Sequence, residues 1–273
     1  MAMAYAALIV NVEAGNSSDA GIRLAAGLAK RFGAALIGVA AEPLVLIPAA
    51  DGSLAYSATL LPHEQKRVQA KLAAAERRFR SILPPEQAAE AEWRAFVEDP
   101  GVALAEEARL ADLLVVGGEA RADAGSVLMR AGRPILVVPA TVTALEASTI
   151  VIGWRDTTQA RRAIADALPL LERAGKVLVL AVTGRNRPAA EMAPAGLEAI
   201  ARLLVRHGVK AEAEARPLRQ ASVADELIHA ARDAGADLIV SGGYGYARLR
   251  EWAFGGVTRD LLTRCPICCL LSH

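Results

Sequence analysis

No disulfide framework is available to this chain: its three cysteines, Cys265, Cys268 and Cys269, fall within five residues of one another. Long hydrophobic runs are also missing. Those such as Val177–Val182 are far too short to cross a bilayer. Charge of neither sign dominates, and a net charge of +1 gives no reason to expect nucleic acid or an acidic membrane surface as partner. The first residues lack the basic stretch of a signal peptide and run directly into a strand pattern. No signal peptide is therefore predicted, and the expected location is the cytoplasm. Histidine is scarce, and His63, His207 and His229 lie on predicted helices or their ends, with no nucleophile placed to complete a triad.

What the chain does have is apolar substance. Hydrophobic residues make up 53% of 273 positions, enough for one large core or two of ordinary size. Internal repetition decides between them. Leu8-Ile-Val-Asn-Val-Glu matches Ile150-Val-Ile-Gly-Trp-Arg, and Gly33-Ala-Ala-Leu-Ile-Gly-Val matches Gly175-Lys-Val-Leu-Val-Leu-Ala. Ala111-Asp-Leu-Leu-Val-Val-Gly-Gly matches Ala236-Asp-Leu-Ile-Val-Ser-Gly-Gly. Gly125-Ser-Val answers Gly255-Gly-Val, and Pro134-Ile-Leu-Val-Val answers Pro266-Ile-Cys-Cys-Leu. Two tandem copies of one domain are expected, over residues 1–143 and 144–273, joined around 139–148. One insertion, over 46–61, has no full counterpart in the second copy.

Each copy alternates short apolar strands with amphipathic helices. The first has strands predicted at 7–12, 34–40, 89–97, 113–116 and 135–138, with helices at 18–32, 63–82, 100–110 and 125–130. The second has strands at 149–153, 177–182, 211–216, 238–241 and 267–271, with helices at 158–174, 193–207, 222–234 and 256–263. Continuous runs such as Leu113-Leu-Val-Val and Val177-Leu-Val-Leu indicate strands covered on both faces. Strand–helix alternation with right-handed crossovers then gives an α/β fold with a parallel, doubly wound sheet.

The last forty residues carry the chemistry. A buried strand runs into a glycine-rich loop in which Gly242, Gly245 and Gly255 stand in a Gly-x2-Gly-x9-Gly spacing, and Gly256-Val257-Thr258 opens a helix. Glycine has no Cβ to hold a ligand away, so such a loop can turn several backbone N–H groups toward an anion. The same loop also serves as a tight connection between strand and helix.

These residues, with Ile150-Val-Ile-Gly-Trp-Arg-Asp and Ala236-Asp-Leu-Ile-Val-Ser-Gly-Gly-Tyr-Gly, resemble the universal stress protein family, and the resemblance extends over nearly all of both halves. It implies two tandem Rossmann-like domains, each a five-stranded parallel sheet of order 3-2-1-4-5, with a ligand crevice between strands 1 and 4. The fifth strands are implied to pair across an intramolecular pseudo-twofold, and the tandem chain to form a homodimer in turn. Some members bind ATP in the crevice, with magnesium carried by the nucleotide, and others bind none. No catalytic constellation comes with the family.

On this resemblance Gly242 and Gly245 wrap ribose and phosphates, Gly255 brings the backbone amides of the helix opened by Gly256-Val257-Thr258 toward the phosphates, and the Thr258 hydroxyl is the replacement for a Ser or Thr donor at 256. Val182, at the end of the second strand, completes the set. Two positions depart from the family's nucleotide binders. Gly256 stands where they carry Ser or Thr, and Arg155, with Asp156 beside it, stands where they carry an acidic residue. Arg155 can meet a phosphate but cannot accept a hydrogen bond from a ribose hydroxyl. Arg248, Arg250 and Arg259 are further phosphate donors or a solvated face. In the first half only Glu119–Ala124 separate Gly117-Gly118 from Gly125-Ser126, too short for the motif, although Glu13 keeps a carboxylate.

Three functions are consistent with this pattern: a stress-response regulator with an adenine-nucleotide site in its second half, a nucleotide-free scaffold acting through its dimer surface, and slow ATP hydrolysis. For the third, Asp156 and Glu251 are the only bases in view. Trp154 and Trp252 flank the crevice, where core packing competes with base stacking. The cysteine cluster reads as buried small hydrophobes rather than a zinc or redox centre, because Cys268 and Cys269 on one strand face opposite ways.

Overall fold

The computed structural model describes residues 4–14, 19–45, 60–117, 124–184, 196–243 and 256–273, the side chain of Leu60 excepted. The first half runs β1 (Ala7–Asn11), α1 (Ala20–Phe32), β2 (Ala35–Ala41), α2 (Leu60–Ile82), α3 (Pro85–Glu90), β3 (Glu92–Phe96), α4 (Pro100–Glu107), β4 (Leu113–Gly117), α5 (Ala124–Arg130) and β5 (Ile135–Val138). The second runs β6 (Thr149–Gly153), α6 (Thr158–Leu171), β7 (Lys176–Thr183), α7 (Leu197–Arg206), β8 (Ala211–Pro217), α8 (Val223–Asp233), β9 (Leu238–Gly242), α9 (Gly256–Arg264) and β10 (Cys268–Ser272). The expected α/β class holds. One expectation needs correcting: Ala89 and Glu90 belong to α3, not to the third strand. Pro85 at its first turn and the helix-forming Gln87-Ala-Ala-Glu start a helix there before the strand begins.

The ten strands among the described residues form one sheet in the order β3-β2-β1-β4-β5-β10-β9-β6-β7-β8. Each half therefore has the order 3-2-1-4-5, with parallel strands throughout. The halves meet antiparallel at β5 and β10, where Val137, Leu136 and Ile135 lie opposite Cys269, Leu270 and Leu271. The equivalence between halves is exact in register: Leu8 pairs with Leu36 and Leu113 as Ile150 pairs with Val177 and Leu238. Beyond the ladders, Val12 N–H donates to Val39 O as Trp154 N–H donates to Leu180 O. Arg155 thus occupies the place of Glu13.

Alternation along the strands fills two cores, one on each face. Leu8, Val10, Ile150 and Ile152 face α1, α2, α6 and α7. Ile9, Val151, Leu114 and Ile239 face the layer of α4, α5, α8 and α9. Burying a Leu or Ile side chain contributes about 1.5–3 kcal/mol, so these two layers supply most of the driving force.

The repeated Ala-Asp-Leu has a structural reason. The Asp112 carboxylate accepts from the N–H groups of Ala6 and Ala7 at 2.7 and 3.2 Å, tying the entry of β1 to the start of β4. Asp237 does the same for the second half, accepting from Ala147 N–H at 2.8 Å. A buried glutamate recurs as well. Glu107 meets Arg94 and Arg109 at 3.0 Å each, and Glu226 accepts from the N–H groups of Arg219 and Gln220 at 2.9 and 3.0 Å. No helix among the described residues is long and apolar enough to cross a membrane.

Candidate functional site

The order of strands in the second half reverses between β6 and β9, and their carboxyl ends form the switch point where open α/β sheets receive ligands. Gly153, the last residue of β6, lies opposite Ser241 of β9. The turn after β6 carries Arg155 and Asp156 at the surface. Its shape is fixed locally, because Thr157 N–H donates to Arg155 O at 2.7 Å and the Thr157 hydroxyl caps α6 at Ala160 N–H. Among the described residues the Arg155 guanidinium makes no hydrogen bond or ion pair. Asp156 is engaged: its carboxylate accepts from Arg161 at 2.7 Å.

Val182 is half-buried near the end of β7, against the core on the α8 face. Trp154 is 6% exposed and sits in the α6–α7 core, so its ring is packing rather than a platform for a base. Gly196 lies over it at the start of α7 with a φ of 77°, close to both the indole and the Asp156 carboxylate.

Gly242 ends β9 against the first turn of α6. A Cβ there would stand 2.6 Å from Ala160 N, 2.8 Å from Gln159 C and 3.0 Å from Ala160 Cα, all backbone atoms. The first half repeats this approach between Gly117 and Gly21, where a Cβ on Gly21 would stand 3.1 Å from Gly117 Cα. Gly243 is pressed from the other half of the chain, since a Cβ on it would fall 2.5 Å from Cδ2 of Leu128, on α5. Its N–H donates within its own half, to Ser272 O of β10 at 2.7 Å. The Gly-Gly doublet signals a close approach in the sequence, but only the structure shows that one of the partners comes from the first half.

At the far end of the loop, Gly256 is the exposed first residue of α9, and a Cβ on it meets no described atom within 4 Å. Val257 packs against the α8–α9 core, and Thr258 is buried at 5% exposure. Gly245, Gly255, Arg248, Arg250, Glu251 and Trp252 lie outside the described residues, as do 46–59 and Gly118. No group of His, Cys, Asp or Glu among the described residues is arranged to hold a metal ion.

With this geometry in hand, the whole molecule compares well with solved structures. A universal stress protein from Archaeoglobus fulgidus superposes with a TM-score of 0.67 over 97% of both chains, at 13% identity. The fold is that of a tandem universal stress protein. A Pseudomonas aeruginosa protein described as belonging to the same group aligns over 97% of this chain and 92% of its own, with a TM-score of 0.56 and 17% identity. A second P. aeruginosa protein, of unknown function, gives 0.53 at 16% identity over the same shares. No protein-family model matches the sequence, and no curated protein matches it significantly. The resemblance carried by the glycine loop and the repeated strands is therefore borne out at the level of fold. Within the universal stress protein fold, the switch point between β6 and β9 is where Gly242, Arg155 and Asp156 converge.

Proposed function

We propose that the second half binds an adenine nucleotide, ATP or a relative, at the β6–β9 switch point, and that occupancy regulates a stress-response assembly. The observations that carry this reading are an exposed cation after β6 and a helix start that no described side chain covers after β9, both at the carboxyl edge of the sheet. Arg155 is exposed at the end of β6, and α9 begins with Gly256, whose backbone no described side chain covers. A helix N-terminus favours phosphate, and a nearby guanidinium adds a charge-assisted donor. Gly245, Gly255 and Val257 complete the loop in this reading, while Gly242 and Val182 shape its floor. A bound nucleotide brings its own magnesium.

A second reading, a nucleotide-free scaffold working through its surface, is favoured by one specific fact. Gly242 and Gly243 are both tight against protein atoms, so their identity is accounted for without any ligand. Hydrolysis is the weakest of the three readings, because Asp156 already accepts from Arg161 and is poorly placed to take a proton from water.

The test is to denature the purified protein, identify released small molecules by mass spectrometry, and titrate the empty protein with ATP by calorimetry. The reading expects near one adenine nucleotide per chain. It further expects Arg155→Ala to weaken binding about tenfold, the loss of one charged hydrogen bond, without moving the unfolding midpoint. A chain that carries nothing and takes up no ATP overturns it in favour of the scaffold.

A further inference from the structure

The two halves touch beyond the β5–β10 ladder, and α6 carries two of these further contacts. Tyr5, just before β1, is buried at 4% exposure, and its hydroxyl donates to the main-chain O of Asp166 at 2.8 Å. One turn earlier on α6, Arg162 Nη2 donates to Gly132 O, ahead of β5, at 2.6 Å. Two segments of the first half are therefore fastened to the same stretch of α6.

The Asp166 carboxyl sits in this seam. Its Oδ2 is shielded from solvent and accepts no hydrogen bond. Arg162 Nε stands 3.8 Å from it, beyond hydrogen-bond reach, while the same guanidinium is committed to Gly132 O. The Tyr5 phenol is spent on the main chain rather than on the carboxyl. Ser272, at the end of β10 and 1% exposed, also leaves its hydroxyl without a hydrogen bond. Of the neighbouring titratable groups, Arg161 is turned to Asp156, and His273 Nδ1 lies 3.3 Å from Gly243 O. The Asp166 side chain is 25% exposed, so its proton has a path to water.

A shielded carboxylate oxygen is tolerated when donors engage it, and none reaches Oδ2 here, so the geometry favours the neutral acid. Burial accordingly raises the carboxyl above its ordinary 3.8, outweighing the opposite pull of Ser272, Arg162 and Arg133.

We propose that Asp166 makes the seam between the two halves proton-sensitive, holding them more tightly when its carboxyl is protonated and loosening them when it ionises. The proton passes to water, and no other bond is made or broken. Because the folded chain binds this proton more tightly than the unfolded chain does, the sign is fixed. The penalty is absent below 3.8, grows as pH rises through the raised folded-state value, and is complete above it. The charge arises on the residue whose carbonyl Tyr5 grips, so it acts where the first half is fastened to α6. This inference does not depend on nucleotide binding.

The experiment compares the full-length chain with Asp166→Asn at low salt, from about pH 3 to about pH 8. Urea midpoints read stability. Amide exchange, corrected for its intrinsic pH dependence, reads the seam at 135–137 and 269–271 against the β6–β7 ladder. The variant is expected to gain on the parent as pH rises, and the gain to level off once Asp166 is ionised. Protection of the seam amides is expected to fall over that range in the parent only, with the β6–β7 amides steady in both. Should the variant fail to fold, carboxyl-carbon NMR of the parent decides: Asp166 must titrate above 3.8, with seam protection falling in step. A difference between the two chains that is the same at every pH overturns the proposal. So does a pH effect spread equally over both ladders, or an Asp166 carboxyl that titrates at or below 3.8.

Discussion

Replacing Gly242 by alanine separates packing from ligand contact at the most conspicuous glycine of the loop. The added Cβ would stand 2.6 Å from Ala160 N, where ordinary contact begins near 3.4 Å, so β9 and α6 must part by roughly 0.8 Å. The atoms in the way are backbone in the first turn of a helix that also packs on β10, and that turn is anchored by the Thr157 cap. No side chain can swing aside. Overpacking of this kind costs about 2–3 kcal/mol, which lowers the melting temperature of a chain this size by about 5–10 °C. The control is Gly256→Ala, where no described atom lies within 4 Å. At the first residue of a helix, alanine is expected to be neutral or to stabilise by up to about 0.5 kcal/mol. Both variants are unfolded thermally and in urea with no nucleotide present. A Gly242→Ala protein that melts with the parent would refute the packing argument and return this glycine to the ligand.

The neighbouring glycine offers a test across the two halves: Gly243→Ala should cost about 1–2 kcal/mol, since Leu128 Cδ2 at 2.5 Å is the end of a flexible side chain. Adding Leu128→Ala should remove most of that penalty, and a urea double-mutant cycle with no coupling above about 0.5 kcal/mol would refute the contact. On the first half, hydrogen bonds from Arg67 and from Val45 N–H hold the Glu64 carboxyl down at about 2, against 4.5 for the free group. A depressed carboxyl stabilises the fold fully above its unfolded value, and that contribution is lost as pH falls from about 4.5 toward 2. Glu64→Gln should therefore flatten stability across this window and leave the curve above pH 5 parallel to the parent, as read by urea midpoints at low salt.

Much of the architecture was legible because the sequence states it twice. Apolar runs covered on both faces, glycine after each first helix, and the repeated Ala-Asp-Leu mark the strands and their order. Even the pairing of β5 with β10 follows from the resemblance. The helix Pro85–Glu90 escaped because six residues are too few for a period to show, and Ala88-Ala89 suits a helix or a strand start equally well. Two features could not be read at all. The Leu128 contact on Gly243 joins residues more than a hundred positions apart, and the Arg161 grip on Asp156 depends on the pitch of one helical turn. The opposite facing of Cys268 and Cys269 was legible from strand alternation.

The first glycine of the loop spacing is fixed by packing, and the first half shows the same constraint. Gly242 and Gly117 stand at equivalent strand ends, and both are pressed against the first helix of their own half. A half with a shortened loop keeps the close approach all the same, so the approach belongs to the fold and says little about a ligand. Gly256 and Arg155 are different. Neither has a packing reason among the described residues, and the first half carries Ser126 and Glu13 in their places. If the second half holds a phosphate, these two positions distinguish it from the first. Arg155→Met, which removes the charge without supplying a carboxylate for a ribose hydroxyl, should then weaken ATP uptake about tenfold at parental stability. Equal ATP affinity in that variant would leave the loop as architecture.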